Sequence, residues 1–304
     1  KNLANRTIKI ETSDFSFNDV DAISFTYRLN EDYWNHNLYI ELLKYFPNND
    51  IKIIEKYFDR TLLTSKKRKH KTYKHYIKKL LSFSRFFTRD TDAILIDTFL
   101  PTKENLKLYF FLGQFPVCHN FYIDYCKLNS VETSKRDSFF RATNGHNGVE
   151  LAIRGTINKV IPHCYIEGYE SICKKLKTLR LPNKPRFIFT SNAFEFNEYF
   201  KFWTAGKVES GVPYFVGQHG SNYGTLKGSE DWSEIKTCDI FYSWGWNEIY
   251  QKKTVSSFNF KVASQRQHFN PNGIGLLVER GPGNANVTHD KFYDHSLYQK
   301  YVFK

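Results

Sequence analysis

The chain has 304 residues, 41% hydrophobic and 25% charged, which is room for one large domain or two ordinary ones and too apolar for a disordered chain. Its formal net charge of +13 draws anions (nucleic acid, lipid headgroups, nucleotide-linked sugars) without choosing among them. Cys118, Cys126, Cys164, Cys173 and Cys238 are odd in number and form no CxxC pair, which argues against a disulfide framework or a zinc ribbon and for a reducing compartment. No apolar run reaches the ~18–20 residues that span a bilayer, and no signal peptide opens the chain. The expectation is a cytoplasmic protein, with a peripheral contact at the inner face of the membrane left open.

In chain order, Asp32–Phe46 is predicted as a helix with Trp34, Leu38, Leu42 and Leu43 on one face. Thr64–Lys79 is the most basic segment, with Lys66, Lys67, Arg68, Lys69, Lys71, Lys74, Lys78 and Lys79 interleaved with Tyr73 and Tyr76. It reads as a solvated helix face or as a patch for anionic membrane or an anionic glycan carrier. Ala93–Leu100 (AILIDTFL) fits a buried parallel strand stopped by Pro101, and Phe110–Val117 a further strand or a helix end. Gly145–Gly155 reads as a loop feeding a helix that carries Glu150 and Arg154 at i, i+4.

From Pro185 the pattern sharpens. Arg186–Phe189 is a strand ending in Thr190-Ser191-Asn192, and Ala193–Ala205 is one helix with Phe194, Tyr199, Phe202 and Trp203 apolar. Tyr214–Val216 is the next strand, ending in Gly217-Gln218-His219-Gly220. A Gly/Ser/Asn-rich loop then leads to a short helix with Glu230, Asp231 and Glu234, and Asp239–Trp244 is a third strand ending in Gly245-Trp246. This β-α-β order implies a parallel sheet with right-handed crossovers. Ligands of such sheets sit beyond the carboxyl ends of the strands, so TSN, QHG and SWGW should face one crevice, and Ser191, Asn192, Gln218 and Gly220 become candidate substrate or nucleotide contacts. The tail offers a strand at Gly275–Val278 and a helix at Asp290–Phe303, too little for a full lobe of ~100 residues. The expected division is a Rossmann-like lobe over 1–246, with the acceptor side and the catalytic loop, and an incomplete second lobe over 247–304 on the nucleotide side.

His219, at a strand end, could act as a general base or neutralise a phosphate; the plainer alternative is a histidine that only hydrogen-bonds the next loop. Asp231 and Glu234, three apart on one helix, share a face, and paired carboxylates suit glycosyl transfer; the alternative is acids that complement a helix dipole. Asp239 reads as a structural cap. Glu150 and Arg154 make either a helix ion pair or, through Arg154, a clamp on a carboxylate or phosphate. Arg280 with Gly281-Pro282-Gly283-Asn284 could form an anion-binding nest, with Ser296 on the tail helix as a further nucleotide contact. No P-loop, no GxGxxG after a strand and no HExxH occurs, so neither a nicotinamide cofactor nor a metal is expected.

The run GQHGSNYG, the acidic pair after it, and Asp239-Ile240-Phe241 leading into SWGW resemble bacterial surface-polysaccharide transferases related to the retaining β-Kdo glycosyltransferases of O-antigen and capsule synthesis. The upstream TSNAFEFNEYFKFW run fits the same pattern, and the likeness is specific over about Arg186–Trp246. It implies an α/β, GT-B-like fold of two Rossmann-like lobes with parallel sheets and a crevice between them. It further implies a CMP-β-Kdo donor, no metal, a glycan or lipid-linked oligosaccharide acceptor, and retention through a carboxylate. On this sequence Asp231 takes the nucleophile's place, with Glu150 and His219 as supporting groups.

A more distant likeness is to the polyol-phosphate polymerases of teichoic-acid assembly, through His219-Gly220 and Thr225-Leu226-Lys227; there the histidine is the base and the donor a CDP-polyol. The tail is shorter than in either pattern. A nucleic-acid-binding reading of Thr64–Lys79 leaves Gln218–Trp246 without a purpose, so no nucleic-acid partner is expected.

Overall fold

A computed structural model describes residues 8–12, 21–29, 31–46, 51–55, 84–117, 148–220, 222–225, 228–247, 252–266 and 270–275, with the single residues 17, 121, 136 and 268. The basic segment Thr64–Lys79 and the tail elements beyond Gly275, with Arg280 and Ser296, lie outside them. The chain divides into two compact units: Lys1–Thr64, Leu128–Glu167 and Gln267–Lys304 in the first, Ser65–Lys127 and Gly168–Arg266 in the second.

In the first unit, strands β1 (Ile8–Thr12) and β2 (Ile51–Glu55) pair in parallel, Ile8 against Ile51. Helix Asp32–Leu43 buries Trp34, Asn37 and Ile40, not the leucines of the expected face. Spacing of three along the helix puts those residues on one stripe, and Phe17 and Phe25 meet Trp34 edge-on at 5.3 and 5.5 Å. The indole decides which side faces inward, and Leu38, Leu42 and Leu43 are left half-buried.

The second unit is a Rossmann-like layer of five parallel strands in the order β3 (Ile94–Ile96), β4 (Ile188–Thr190), β5 (Tyr214–Gly217), β6 (Ile240–Ser243) and β7 (Thr254–Ser256). Ile94 pairs with Ile188, Thr190 with Val216 and Val216 with Phe241. β3 and β4 are buried at every residue, as strands covered on both faces are. The expected boundary after Trp246 falls between β6 and β7 of this one sheet.

On one face, Tyr214 packs against Phe200 of helix Glu198–Glu209, and Phe200 meets Phe121 edge-on at 5.6 Å. On the other, Leu95 and Phe189 form a cluster with Tyr109 of helix Thr102–Phe111 and with Phe260. A cavity of about 680 Å³ opens there, lined by Phe189, Phe215, Tyr242, Leu108, Phe111 and Phe258 among others. Phe110–Val117 is accordingly a helix end and its following turn.

The helix expected over Ala193–Ala205 is two helices, Ala193–Phe196 and Glu198–Glu209. Asn197 leaves helical backbone (φ −110°, ψ 91°), and its side chain accepts the Phe200 amide at 3.0 Å. A buried N-cap of this kind starts a new helix and turns the chain. Tyr199, Phe200 and Trp203 then face inward, while Phe194 stays at the carboxyl edge of the sheet. No described helix is long and apolar enough to cross a membrane, and Cys164, Cys173 and Cys238 are free thiols.

Candidate active site at the carboxyl edge of the sheet

Because Thr190 stands opposite Val216, and Val216 opposite Phe241, the residues that follow β4, β5 and β6 emerge side by side. The Ser191 hydroxyl donates to the Thr98 carbonyl at 3.0 Å, and its amide donates to the Asp97 carbonyl at 3.0 Å. Ser191 is thereby fully buried and binds the end of β4 to the turn after β3. That turn is strained, with Asp97 and Phe99 at φ of 46° and 59°. Non-glycine residues in this region cost on the order of 1–3 kcal/mol and persist where their surroundings over-determine them. The buried Oδ1 of Asn192 has no hydrogen-bond partner among the described residues.

Gln218 works as a clamp. Its Oε1 accepts from the Trp244 amide and from Trp246 Nε1, both at 2.8 Å, and its Nε2 donates to the Gly220 carbonyl at 2.6 Å. The carboxamide is spent on joining the ends of β5 and β6, so it positions the crevice wall. Gly217 beneath it has no room for a side chain, since a Cβ would collide with the Phe260 ring and Ser191 Oγ. At Gly220 a Cβ would meet nothing within 4 Å, and its contribution is the carbonyl held by Gln218.

His219 sits between two partners. Nε2 lies 3.0 Å from Glu195 Oε1 and Nδ1 3.0 Å from the Tyr223 hydroxyl. Phe99 and Phe194 flank the imidazole, with ring centres at 6.3 and 5.8 Å. The Tyr223 hydroxyl also donates to Glu234 Oε1 at 2.6 Å, and Ser233 Oγ donates to Glu234 Oε2 at 3.2 Å. Burial, with the Glu234 carboxylate beside it, pushes the Tyr223 phenol far above its ordinary pKa, so it remains a proton donor.

The expected pairing of Asp231 with Glu234 on one helix face is corrected. A 3₁₀ turn, Ser229–Asp231, ends at Trp232, whose extended backbone (φ −63°, ψ 142°) separates it from helix Ser233–Thr237. Glu234 points inward to Tyr223. Asp231 points out, its side chain 70% exposed, and pairs with Lys236 at 2.8 Å. Asp239 is a cap as expected: its carboxylate accepts the Tyr214 amide at 2.8 Å.

Glu150 and Arg154 belong to the first unit, on helix Gly148–Val160, where they form an i, i+4 ion pair at 2.8 Å with both side chains more than a third exposed. Among the described residues no group of three or more His, Cys, Asp or Glu side chains could hold a metal ion.

Sequence reasoning missed Glu195, Tyr223 and Phe99. Tyr223 was open to view, four residues after His219 in the glycine-rich loop. Glu195 and Phe99 follow other strands and reach His219 only through the sheet register. No curated protein and no solved structure matches the chain. A model described as LIC12162 family transferase matches residues 2–295, and on that match the chain belongs to the LIC12162 family of transferases.

Proposed function

We propose that this transferase is a glycosyltransferase that moves Kdo from CMP-β-Kdo to a surface-polysaccharide acceptor, with retention of configuration. The observation that carries this reading is the His219–Glu195 pair on the segments that follow β4 and β5 of a parallel sheet, where the buried Asn192 Oδ1 has no partner among the described residues. Asp231, exposed and paired with Lys236 further along the β5–β6 connection, takes the nucleophile's role from the resemblance. In the first step an Asp231 oxygen bonds to the anomeric carbon as the bond to phosphate breaks, and the electron pair leaves with CMP. In the second, the acceptor oxygen displaces Asp231 and its proton passes to the His219–Glu195 pair. Two inversions give net retention. Asn192 is assigned to the donor, and Gln218 and Ser191 hold the wall behind it. The donor is already activated as a phosphodiester, so leaving-group departure needs no metal. An acceptor carried on lipid and a membrane contact through Lys66–Lys79 belong to the same reading.

One observation favours a second reading. His219 is held from both ring nitrogens, as a histidine base is, which suits a CDP-polyol phosphotransferase. Both reactions release CMP, so the donor consumed separates them: CMP release by purified variants is compared with CMP-Kdo and with a CDP-polyol as the donor. Under glycosyl transfer, Asp231→Asn lowers turnover by roughly 10³-fold or more, and His219→Ala by about 10²–10⁴-fold. A fully active Asp231→Asn with an inactive His219→Ala, on a CDP-polyol donor, overturns the glycosyl-transfer reading.

A further inference from the structure

The four groups Glu234, Tyr223, His219 and Glu195 form a continuous chain at 2.6, 3.0 and 3.0 Å, and its proton count is constrained. The Tyr223 hydroxyl has one proton. Its shorter contact is to Glu234, a buried carboxylate, and 2.6 Å is the length of an O–H···O⁻ bond. The proton therefore points to Glu234, and Tyr223 can offer His219 only a lone pair. His219 Nδ1 then has to carry a proton and donate it to Tyr223. At the other end, Nε2 faces a carboxylate oxygen at 3.0 Å. Two bare acceptors at that separation repel, so a second proton lies between Nε2 and Glu195.

We propose that Glu234 and Tyr223 are positioning residues that lock His219 with Nδ1 protonated, leaving Nε2, shared with Glu195, as the single proton-exchanging nitrogen at the edge of the sheet. The surroundings support a fixed inner end and a free outer one. Tyr223 is buried, with ring centres 4.6 Å from Trp232 and 5.1 Å from Phe241. The side chains of His219 and Glu195 keep 21% and 31% of their exposure. Among the described residues, charged groups beside the chain include Lys201, which donates to the Glu195 carbonyl at 3.3 Å and pairs with Glu198 at 2.8 Å, and Lys261, which lies over the Phe99 ring at 4.7 Å. Neither takes the Nε2 position.

The proposal rests on the glycosyl-transfer reading for its chemistry. The proton between Nε2 and Glu195 leaves to solvent, and the acceptor hydroxyl takes its place. As the acceptor O–C bond forms and the bond to Asp231 breaks, the hydroxyl proton moves to Nε2 and the electron pair returns to the Asp231 carboxylate.

The test reads protons, not turnover. Histidine-labelled protein is followed by long-range ¹H–¹⁵N correlation across pH, with the His219 signals assigned from a His219→Gln variant. In the wild type, Nδ1 of His219 stays protonated throughout and only Nε2 changes state. In Tyr223→Phe, which keeps the ring and removes the lone pair, neutral His219 moves to the Nε2–H tautomer, donating to Glu195. A bare Nδ1 in neutral wild-type His219, or an unchanged tautomer in Tyr223→Phe, overturns the lock. The wild-type spectrum decides alone if that variant does not fold. Failure of the glycosyl-transfer reading would appear as no CMP release from CMP-β-Kdo with these spectra intact, whereas a bare Nδ1 removes the lock whatever the reaction.

Discussion

Each unit of the protein contains a histidine–glutamate pair, and the two are built for opposite ends. In the first unit, Glu167 and Arg136 meet in a two-point ion pair at 2.6 and 2.9 Å, with side chains 3% and 4% exposed. Arg136 also donates to the Asn158 and Ile161 carbonyls at the end of helix Gly148–Val160. His163 stands beside them, 3.4 Å from Glu167, with a carboxylate that Arg136 already occupies. Burial, and then the Arg136 charge, push the His163 pKa down, so it is held neutral. For Glu167 burial pushes upward, but the Arg136 hydrogen bond and charge outweigh it and hold the carboxyl below its ordinary value. In the second unit the arginine is replaced by a tyrosine whose proton is committed to a buried glutamate, and the outer end is open to solvent. The same two residue types are structural where an arginine fixes the charge, and able to exchange protons where a neutral hydroxyl fixes only the ring.

The largest effect on stability is expected at Arg136. Arg136→Met strands the Glu167 carboxylate and two carbonyls, and should cost about 3–5 kcal/mol in denaturant unfolding. His219→Ala, at a partly exposed edge, should unfold close to the wild type while losing turnover. Equal stability losses in the two variants would mean that the two histidine–glutamate pairs do not differ in this way. Next is Gln218→Ala, which leaves the Trp244 amide and Trp246 Nε1 without their acceptor; a loss of about 1–3 kcal/mol is expected, together with reduced turnover.

The pH dependence comes third. A histidine held neutral by the fold favours the folded state above its unfolded value of 6.5, and that contribution is lost as pH falls from there through the lowered folded value. Stability should therefore decline below pH 6.5, and His163→Gln should flatten the decline in that window. The Glu167 contribution is present above 4.5 and is lost as pH falls through its lowered folded value. The smallest effect belongs to Glu150→Ala, whose exposed ion pair with Arg154 is worth well under 1 kcal/mol.

The parallel sheet was legible because ILI, IFT, YFVG and IFYS are short apolar runs closed by polar or glycine residues, and their order with helices between them admits little else. The two breaks were less so. Aromatic spacing continues across Asn197, and only the Asn-Glu step hints at a cap. A separation of three between Asp231 and Glu234 promises a shared face only in unbroken helix, and nothing in the letters says that Trp232 is extended. The partnership of His219 with Glu195 was beyond reach, because it depends on Thr190 standing opposite Val216, a register fixed by packing across the whole sheet.

Whether a CMP-linked sugar is the donor is decided by calorimetric titration of the wild-type protein with CMP, CDP and UMP, each with and without magnesium. A CMP-Kdo transferase should bind CMP at micromolar concentration, in preference to the other two and independent of the metal. No binding of CMP, or a clear preference for CDP, contradicts this reading and moves the chemistry to His219-based phosphotransfer.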